Sequence, residues 1–334
     1  MTMDELRQVA EECRLPKFAA KQIADWIYKK RVSSIDEMTN ISVVNRELLS
    51  EMFDVGRYMP VELQKSSDGT IKYLFRTEGE KFVESVMIPE DDRKTLCVSS
   101  QVGCKMNSLF CMTGKQGFGG NLSANEILNQ IYSVQEADEL TNVVFMGMGE
   151  PLDNYEEVKK AIDIMTADYG MAWSPKRITL STIGVLPKLK RFLDETSVHL
   201  AVSIHSPNSQ QRFSIMPVEK AYPIADVINL LKEYDWRGQR RLSFEYIMFD
   251  GFNDSVSHAA ELAQLIRGLD CRVNLIRFHM IPNVSLKTSV KEKMITFRDY
   301  LTSKGITCTI RSSRGEDIAA ACGMLSTEKS KEEK

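Results

Sequence analysis

Between Thr95 and Phe278 the chain carries six short runs rich in β-branched and apolar residues: TLCVSSQV (95–102), NVVFMGM (142–148), RITLST (177–182), VHLAVSI (198–204), RLSFEYIMF (241–249) and VNLIRF (273–278). A stretch with apolar residues at helical spacing follows each, at 124–137, 155–166, 186–193, 224–234, 257–265 and 290–304. Six βα units in succession predict an α/β fold on a parallel sheet, open or curled into a partial parallel (β/α) barrel. Barrels of this kind gather their chemistry at the C-terminal ends of the strands. The residues that close each run are therefore the first candidates for a site.

Upstream the pattern changes. Residues 4 to about 58 read helical, with Ala19, Ile23, Trp26 and Ile27 on one face and Asn45 to Met52 forming a further helix. Gly56 to Pro60 interrupts this stretch. TIKYLF (70–75) and KFVESVMI (81–88), set off by Asp68-Gly69 and Glu78-Gly79-Glu80 turns, then read as a β-hairpin. The expected organisation is a helical accessory domain at 1–58, a β-rich linker at 59–96, the α/β core at 97–310 and a C-terminal extension at 311–334. The tail STEKSKEEK (326–334) is expected to be disordered.

A chain of 334 residues with 43% hydrophobic content can bury a large core. No run of eighteen apolar residues occurs and the first residues are charged, so no membrane span or secretion signal is expected and the chain reads as cytoplasmic. Seven cysteines, an odd number without a secretory signal, argue against a disulfide framework and leave reduced thiols, metal ligation or catalysis. A net charge of −3 gives no global case for nucleic acid. Local basic clusters remain at Lys29 to Arg31, at Lys188, Lys190 and Arg191, and at Arg237, Arg240 and Arg241; taken singly, each is ordinary solvated surface.

The segment GCKMNSLFC (103–111) follows the first run and spaces Cys104, Ser108 and Cys111 as Cys-x3-Ser-x2-Cys. With cysteine at all three places, one loop can hold three irons of a four-iron four-sulfur cluster and leave the fourth open to the amino and carboxylate groups of S-adenosylmethionine (SAM). Ser108 offers a harder and more basic donor than a thiolate, so cluster occupancy or redox poise is expected to suffer. Zinc on Cys104 and Cys111 is a weak reading, because no second ligand pair stands at zinc spacing.

Taken in order, LCVSSQVGCKMN (96–107), LFCMTGKQGF (109–118), VVFMGMGEPL (143–152), LSTIGVLP (180–187), AVSIHS (201–206) and RSSRGEDIAAACGML (311–325) resemble the RlmN-type family of radical SAM adenine-C2 methyltransferases, from about Leu6 to Leu325. The resemblance implies a partial barrel of the radical SAM type with an N-terminal helical domain that helps to hold RNA. It implies a four-iron four-sulfur cluster and SAM as cofactors, 23S ribosomal RNA and transfer RNA as substrates, an electron donor such as flavodoxin, and a monomer. Cys104, Ser108 and Cys111 occupy the cluster-ligand positions. Gly149, Glu150, Ser181, Ser203, Ile204, His205 and His279 occupy SAM-contacting positions, His279 standing where the family has asparagine.

The resemblance also implies a mechanism. Cys322 accepts a methyl group from one SAM. A second SAM is cleaved to a radical that takes hydrogen from that methyl, and the carbon then adds to adenine C2. Cys97 helps remove the C2 proton and releases the crosslinked product by forming a disulfide with Cys322, and Glu84 matches a proton-acceptor position. Such chemistry is intelligible because adenine C2 resists polar methylation, so that one sulfur carries and another releases. The mechanism requires Cys97 and Cys322 to approach each other. Two other readings stand beside it: a silent homologue that binds SAM or RNA, and an adenine-C8 methyltransferase of the Cfr type, which shares most of these blocks. Cys13, Cys271, Cys308, His199 and His258 read as structural.

Overall fold

The structure, a computed structural model, describes residues 1–327. The tail expected to be disordered lies outside the described residues from 328 onward. One ten-stranded sheet organises the chain. β1 (Glu62–Lys65), β2 (Ile71–Arg76), β3 (Phe82–Pro89) and β4 (Lys94–Cys97) pair antiparallel in sequence. From β4 onward the pairing is parallel through β7 (Asn142–Phe145), β8 (Ile178–Thr182), β9 (His199–Ser203), β10 (Leu242–Met248), β11 (Arg272–Arg277) and β12 (Thr307–Ile310). β1 and β12 are the two edges, so the sheet is an open barrel. The hairpin expected to lead into the core is thus an extension of the core's own sheet. A separate ribbon pairs β5 (Gln101–Gly103) with β6 (Phe118–Asn121).

Helices α1 (Met3–Glu12), α2 (Ala19–Ala24) and α3 (Val43–Met52) form the N-terminal layer, and the short α4 (Met112–Gln116) follows the cysteine loop. The parallel strands are connected through α5 (Ala124–Tyr132), α6 (Tyr155–Thr166), α7 (Leu186–Glu195), α8 (Ser209–Ile215), α9 (Ile224–Leu231), α10 (Val256–Leu265) and α11 (Lys291–Ser303). Strand alternation divides the side chains. Val143, Phe145, Ile178, Leu180, Val273 and Leu275 are buried in the main core. The intervening Asn142, Val144, Thr179, Asn274 and Ile276 line an internal cavity, as the two-residue period of a strand requires. The N-terminal layer is tied on by buried Tyr28, whose ring meets those of Tyr132 and Tyr169, and by Asn129, whose amide brackets the backbone of Tyr58.

Two sequence expectations are corrected and one strand is added. The first run is two elements, because β4 ends at Cys97 and the chain turns before β5. Side-chain amides supply the missing ladder there: Gln130 bonds both the N–H and the carbonyl of Ser99, and Asn154 donates to the Ser100 carbonyl. The helix expected over 124–137 stops at Tyr132, where Tyr73 Oη receives the Gln135 N–H and donates to Glu136. β12, TCTI, has too little apolar length to announce itself and forms by pairing with β11.

Arg212 of α8 is fully buried. Its guanidinium donates to the carbonyls of Ile183, Ser203 and Ile204 at 3.0–3.1 Å and pairs with the carboxylate of Glu219. The ends of β8 and β9 are thereby clamped together. Removing one partner of a buried pair strands the other charge at a cost of about 3–5 kcal/mol. Arg212→Ala is therefore expected to lower the urea midpoint of unfolding by a corresponding amount; an unchanged midpoint would show that the clamp contributes nothing.

Candidate active site

The curled sheet encloses a cavity of about 510 Å³. Cys97 reaches it from the end of β4, Cys111 from the loop before α4, His279 from just beyond β11, and Cys322 from the C-terminal extension. Four of the residues singled out from the sequence thus share one chamber, including two cysteines far apart in the chain. All seven cysteines are free thiols, so the disulfide expected between Cys97 and Cys322 is not a bond of this resting structure. Their proximity shows electrostatically: burial pushes the Cys97 thiol up to about 12, and Cys322 adds to that rise. Cys322 is open to solvent through the cavity yet walled by protein, and burial raises its pKa too, with Arg311 pulling the other way. Thiols in such surroundings stay protonated at neutral pH.

The extension is sewn onto the cysteine loop. Met112 N–H donates to the Gly323 carbonyl at 2.8 Å, Thr113 Oγ1 donates to the Leu325 carbonyl at 2.8 Å, and Gln116 bonds Thr327. Gly323 has φ +82°, and a Cβ there would press on the Phe110 carbonyl, so glycine is required beside Cys322. Glu84 does not line the cavity. It is buried on β3, paired with Lys72 at 3.1 Å, and accepts from Ser326 N–H at 3.0 Å. Burial raises its pKa. Its evident work is to anchor the strip that carries Cys322.

Gly149, Glu150, Ser181, Ser203, Ile204 and His205 lie around the strand ends, outside the lining of the cavity that His279 shares. Gly149 follows β7 with φ +99°, where a Cβ would strike Gln101. The Glu150 carboxylate is committed to the fold, accepting from Thr182 Oγ1 at 2.6 Å and from the N–H groups of Leu152 and Ile183 at 3.0 Å. Burial still raises its pKa to about 7. Ser181 and Ser203 are half-buried in the last turns of β8 and β9, and Ile204 is fully buried. His205 has φ +58° and is buried; its Nδ1 accepts from the Ile247 N–H at 3.0 Å, and its ring meets Phe110 edge-on at 4.8 Å. It therefore braces the residue next to Cys111. His279 is held between the Ser313 hydroxyl and Glu316, and burial lowers its pKa.

Sequence reasoning missed much of the lining. Arg93, Arg241, Arg272, Arg311 and Arg314 face the cavity with only Glu90 and Glu245 opposing them. A glutamate in the middle of RLSFEYIMF, all seven residues of whose strand are buried, was the available signal for Glu245. The other basic clusters are largely neutralised on the surface: Lys188 and Arg191 by Glu156, Lys190 by Asp194, Lys29 and Lys30 by Asp25. Trp26 is half-buried, bonding Asn40 through its ring N–H under the Lys30 ammonium.

An open parallel barrel with a cysteine loop at one strand end and the thiols of Cys97 and Cys322 in its lumen is the architecture expected of a radical SAM methyltransferase. Comparison with known proteins agrees. Residues 98–264 match the radical SAM superfamily, and residues 1–55 match the ribosomal RNA large subunit methyltransferase N-terminal domain. The chain is 65% identical to the probable dual-specificity RNA methyltransferase RlmN of Parabacteroides distasonis over 98% of this chain and 96% of that one. It is 41% identical to the dual-specificity RNA methyltransferase RlmN of Syntrophus aciditrophicus, over 98% and 95%. A crystal structure of a radical SAM methyltransferase from Sphaerobacter thermophilus superposes with a TM-score of 0.92 at 39% identity, covering 97% of each chain. The chain belongs to the RlmN family of radical SAM RNA methyltransferases.

Membership brings a four-iron four-sulfur cluster and SAM as cofactors. The donors fit, with oxygen in one place. Cys104 and Cys111 are close enough for their charges to interact, and Ser108 is buried on the same loop. No group of three or more acidic, cysteine or histidine side chains capable of holding a metal occurs among the described residues, so the loop offers two thiolates and depends on the Ser108 oxygen for a third donor. No described helix is long and apolar enough to cross a membrane.

His205 generates a pH prediction. Burial, with Arg212 nearby, lowers its pKa to about 3, below the ordinary value of 6.5. The neutral ring's contribution is present above pH 6.5 and is lost progressively as pH falls toward 3, at up to ~1.4 kcal/mol per pH unit. Urea unfolding of the wild type is expected to weaken between pH 6.5 and 4.5, and His205→Asn to flatten that slope; equal slopes would remove the role.

Proposed function

We propose that this enzyme methylates C2 of an adenine in 23S ribosomal RNA and in transfer RNA through a methyl group carried on Cys322. The observation that carries this reading is the cavity in which Cys97, Cys111 and Cys322 meet. When bound, the cluster and SAM supply methyl groups and the radical that activates the carried methyl. The chain's own residues do the rest. Cys322 Sγ displaces S-adenosylhomocysteine from SAM to take the methyl. After carbon–carbon bond formation the adduct radical gives up one electron to the bound cluster, and Cys97, once ionised, takes the C2 proton. That proton passes to the product carbon as Cys97 Sγ attacks Cys322 Sγ, the S–S bond forming while the sulfur–carbon bond breaks and leaves its electron pair on the carbon that becomes the methyl group.

Arg311 stands beside both thiols, where its charge favours the thiolate that each step needs, although burial opposes that ionisation. Glu84 and Gly323 hold the strip so that Cys322 faces inward. The excess of arginine in the cavity suits an RNA backbone, and the base must leave its stack to enter. A protein electron donor such as flavodoxin serves as reductant, and the enzyme works as a monomer in the cytoplasm.

Ser108 is the weak point of this machinery. Even changing a residue that only orients a metal ligand typically costs about 10- to 100-fold in affinity or activity, and Ser108 stands at a ligand position itself. Ser108→Cys is expected to raise bound iron and sulfide after anaerobic reconstitution, and to raise 2-methyladenosine formation by about that factor. The checks are metal analysis and mass spectrometry of digested RNA. Equal turnover by both proteins would mean that serine suffices. Cys322→Ala is expected to abolish methylation while retaining RNA binding; product from that variant would sink the carrier role.

A further inference from the structure

Glu245 sits mid-strand in β10, is 3% exposed, and faces the cavity. Its two carboxylate oxygens have unlike fates. Oε1 accepts from Asn274 Nδ2 at 2.8 Å, and Asn274 Oδ1 in turn accepts from Thr309 Oγ1 at 2.8 Å, a relay across β10, β11 and β12. Oε2 is buried with no hydrogen-bond partner. Arg311 Nη1 lies 3.8 Å from it, too far to donate. A buried acceptor without a hydrogen-bond donor is costly and rare, and the side chain that carries this one lines the chamber that holds the thiols, with the Arg311 charge as its ion-pair partner. Its charge is felt at Cys322. Three strands separate β4 from β10 in the sheet, so Cys97 and Glu245 reach the lumen from different walls.

Resting on the adenine reading above, we propose that Glu245 is the specificity-determining residue for the base, its free oxygen accepting a hydrogen bond from the exocyclic amine of adenine. An ionised carboxylate only accepts. Adenine presents an amino donor at C6, whereas guanine and hypoxanthine present a carbonyl acceptor there. C6 is separated from C2 only by N1, so with C2 held at the sulfurs the amine points obliquely away from them along the same edge of the base, toward a wall other than the one that carries Cys97. The Thr309–Asn274 relay fixes the carboxylate's rotation, so the free oxygen cannot turn away. A base with an acceptor in that place would leave two facing acceptors desolvated, the arrangement by which polar sites reject near-isosteres.

The test uses full-length reconstituted protein and RNA hairpins bearing adenosine, purine riboside or inosine at the target position. Wild-type protein is expected to bind the adenosine hairpin about tenfold more tightly than the purine riboside hairpin, the worth of one charge-assisted bond, and inosine less well still. In Glu245→Gln the relay draws the amide oxygen toward Asn274 and leaves the amide NH2 facing the cavity. The adenosine preference is expected to vanish and inosine to gain, with SAM affinity unchanged.

The wild-type arm stands even if the variant fails to fold: indifference between adenosine and purine riboside overturns the proposal. So does a Glu245→Gln protein that keeps the wild-type order. Loss of SAM affinity with that order intact would assign the oxygen to a hydroxyl of SAM instead. If no hairpin binds, the adenine reading itself fails and the proposal with it. If hairpins bind and are methylated without regard to residue 245, only the proposal fails.

Discussion

A single guanidinium governs the geometry of the site. Arg212 gathers the carbonyls that end β8 and β9 and is neutralised by Glu219, whose carboxylate also receives the Ile224 N–H that starts α9. Carbonyls at and just past the ends of strands have lost their ladder partners, and buried ones need a donor. One buried guanidinium supplies it to three of them at once and so makes a junction. From it the order propagates: the chain leaving β9 enters the left-handed region at His205, the imidazole takes a backbone N–H from β10, and its edge fixes Phe110 beside Cys111. The position of a thiol in the cysteine loop is thus set by a residue on a different helix.

The second constraint is the seam between the loop and the extension. A cysteine beyond the last strand has no covalent reason to be near one on β4. Hydrogen bonds from Met112, Thr113 and Gln116, with Glu84 on the far side, bring the strip home one backbone group at a time. Because the partners on the strip are mainly its own carbonyls and N–H groups, they dictate its path but few of its side chains. Gly323 is the exception, where a left-handed backbone and the nearby Phe110 carbonyl both disfavour a β-carbon.

The parallel sheet was legible from the sequence because its outward faces must be apolar, and alternating runs such as NVVF and ITLST declare that at once. The short β12 was not, since its pairing derives from β11 and not from its own composition. Candidate residues divided in the same way. Cys97, Cys111, Cys322 and His279 were recognisable from motif blocks and do meet in one cavity. Glu150 and His205 came from the same blocks, yet the Glu150 carboxylate already receives the Thr182 hydroxyl and the Ile183 N–H, and His205 Nδ1 the Ile247 N–H. No linear pattern separates a polar residue that awaits a ligand from one already satisfied by the fold. Glu245 makes the point from the other side, being unremarked in sequence and conspicuous only once its empty oxygen is seen.

The seam also bears on the order of events in the cell. Chains grow from the N-terminus, and folding follows the emerging polypeptide. The loop of Cys104 and Cys111 and every strand of the barrel leave the ribosome before the strip of Cys322 does, so during synthesis the chamber exists for a time without one of its walls. Docking of the strip that ends at Thr327 onto Met112, Thr113 and Gln116 is then the last closure of that wall. A protein assembled in this sequence acquires its reactive sulfur only when the compartment around it is complete.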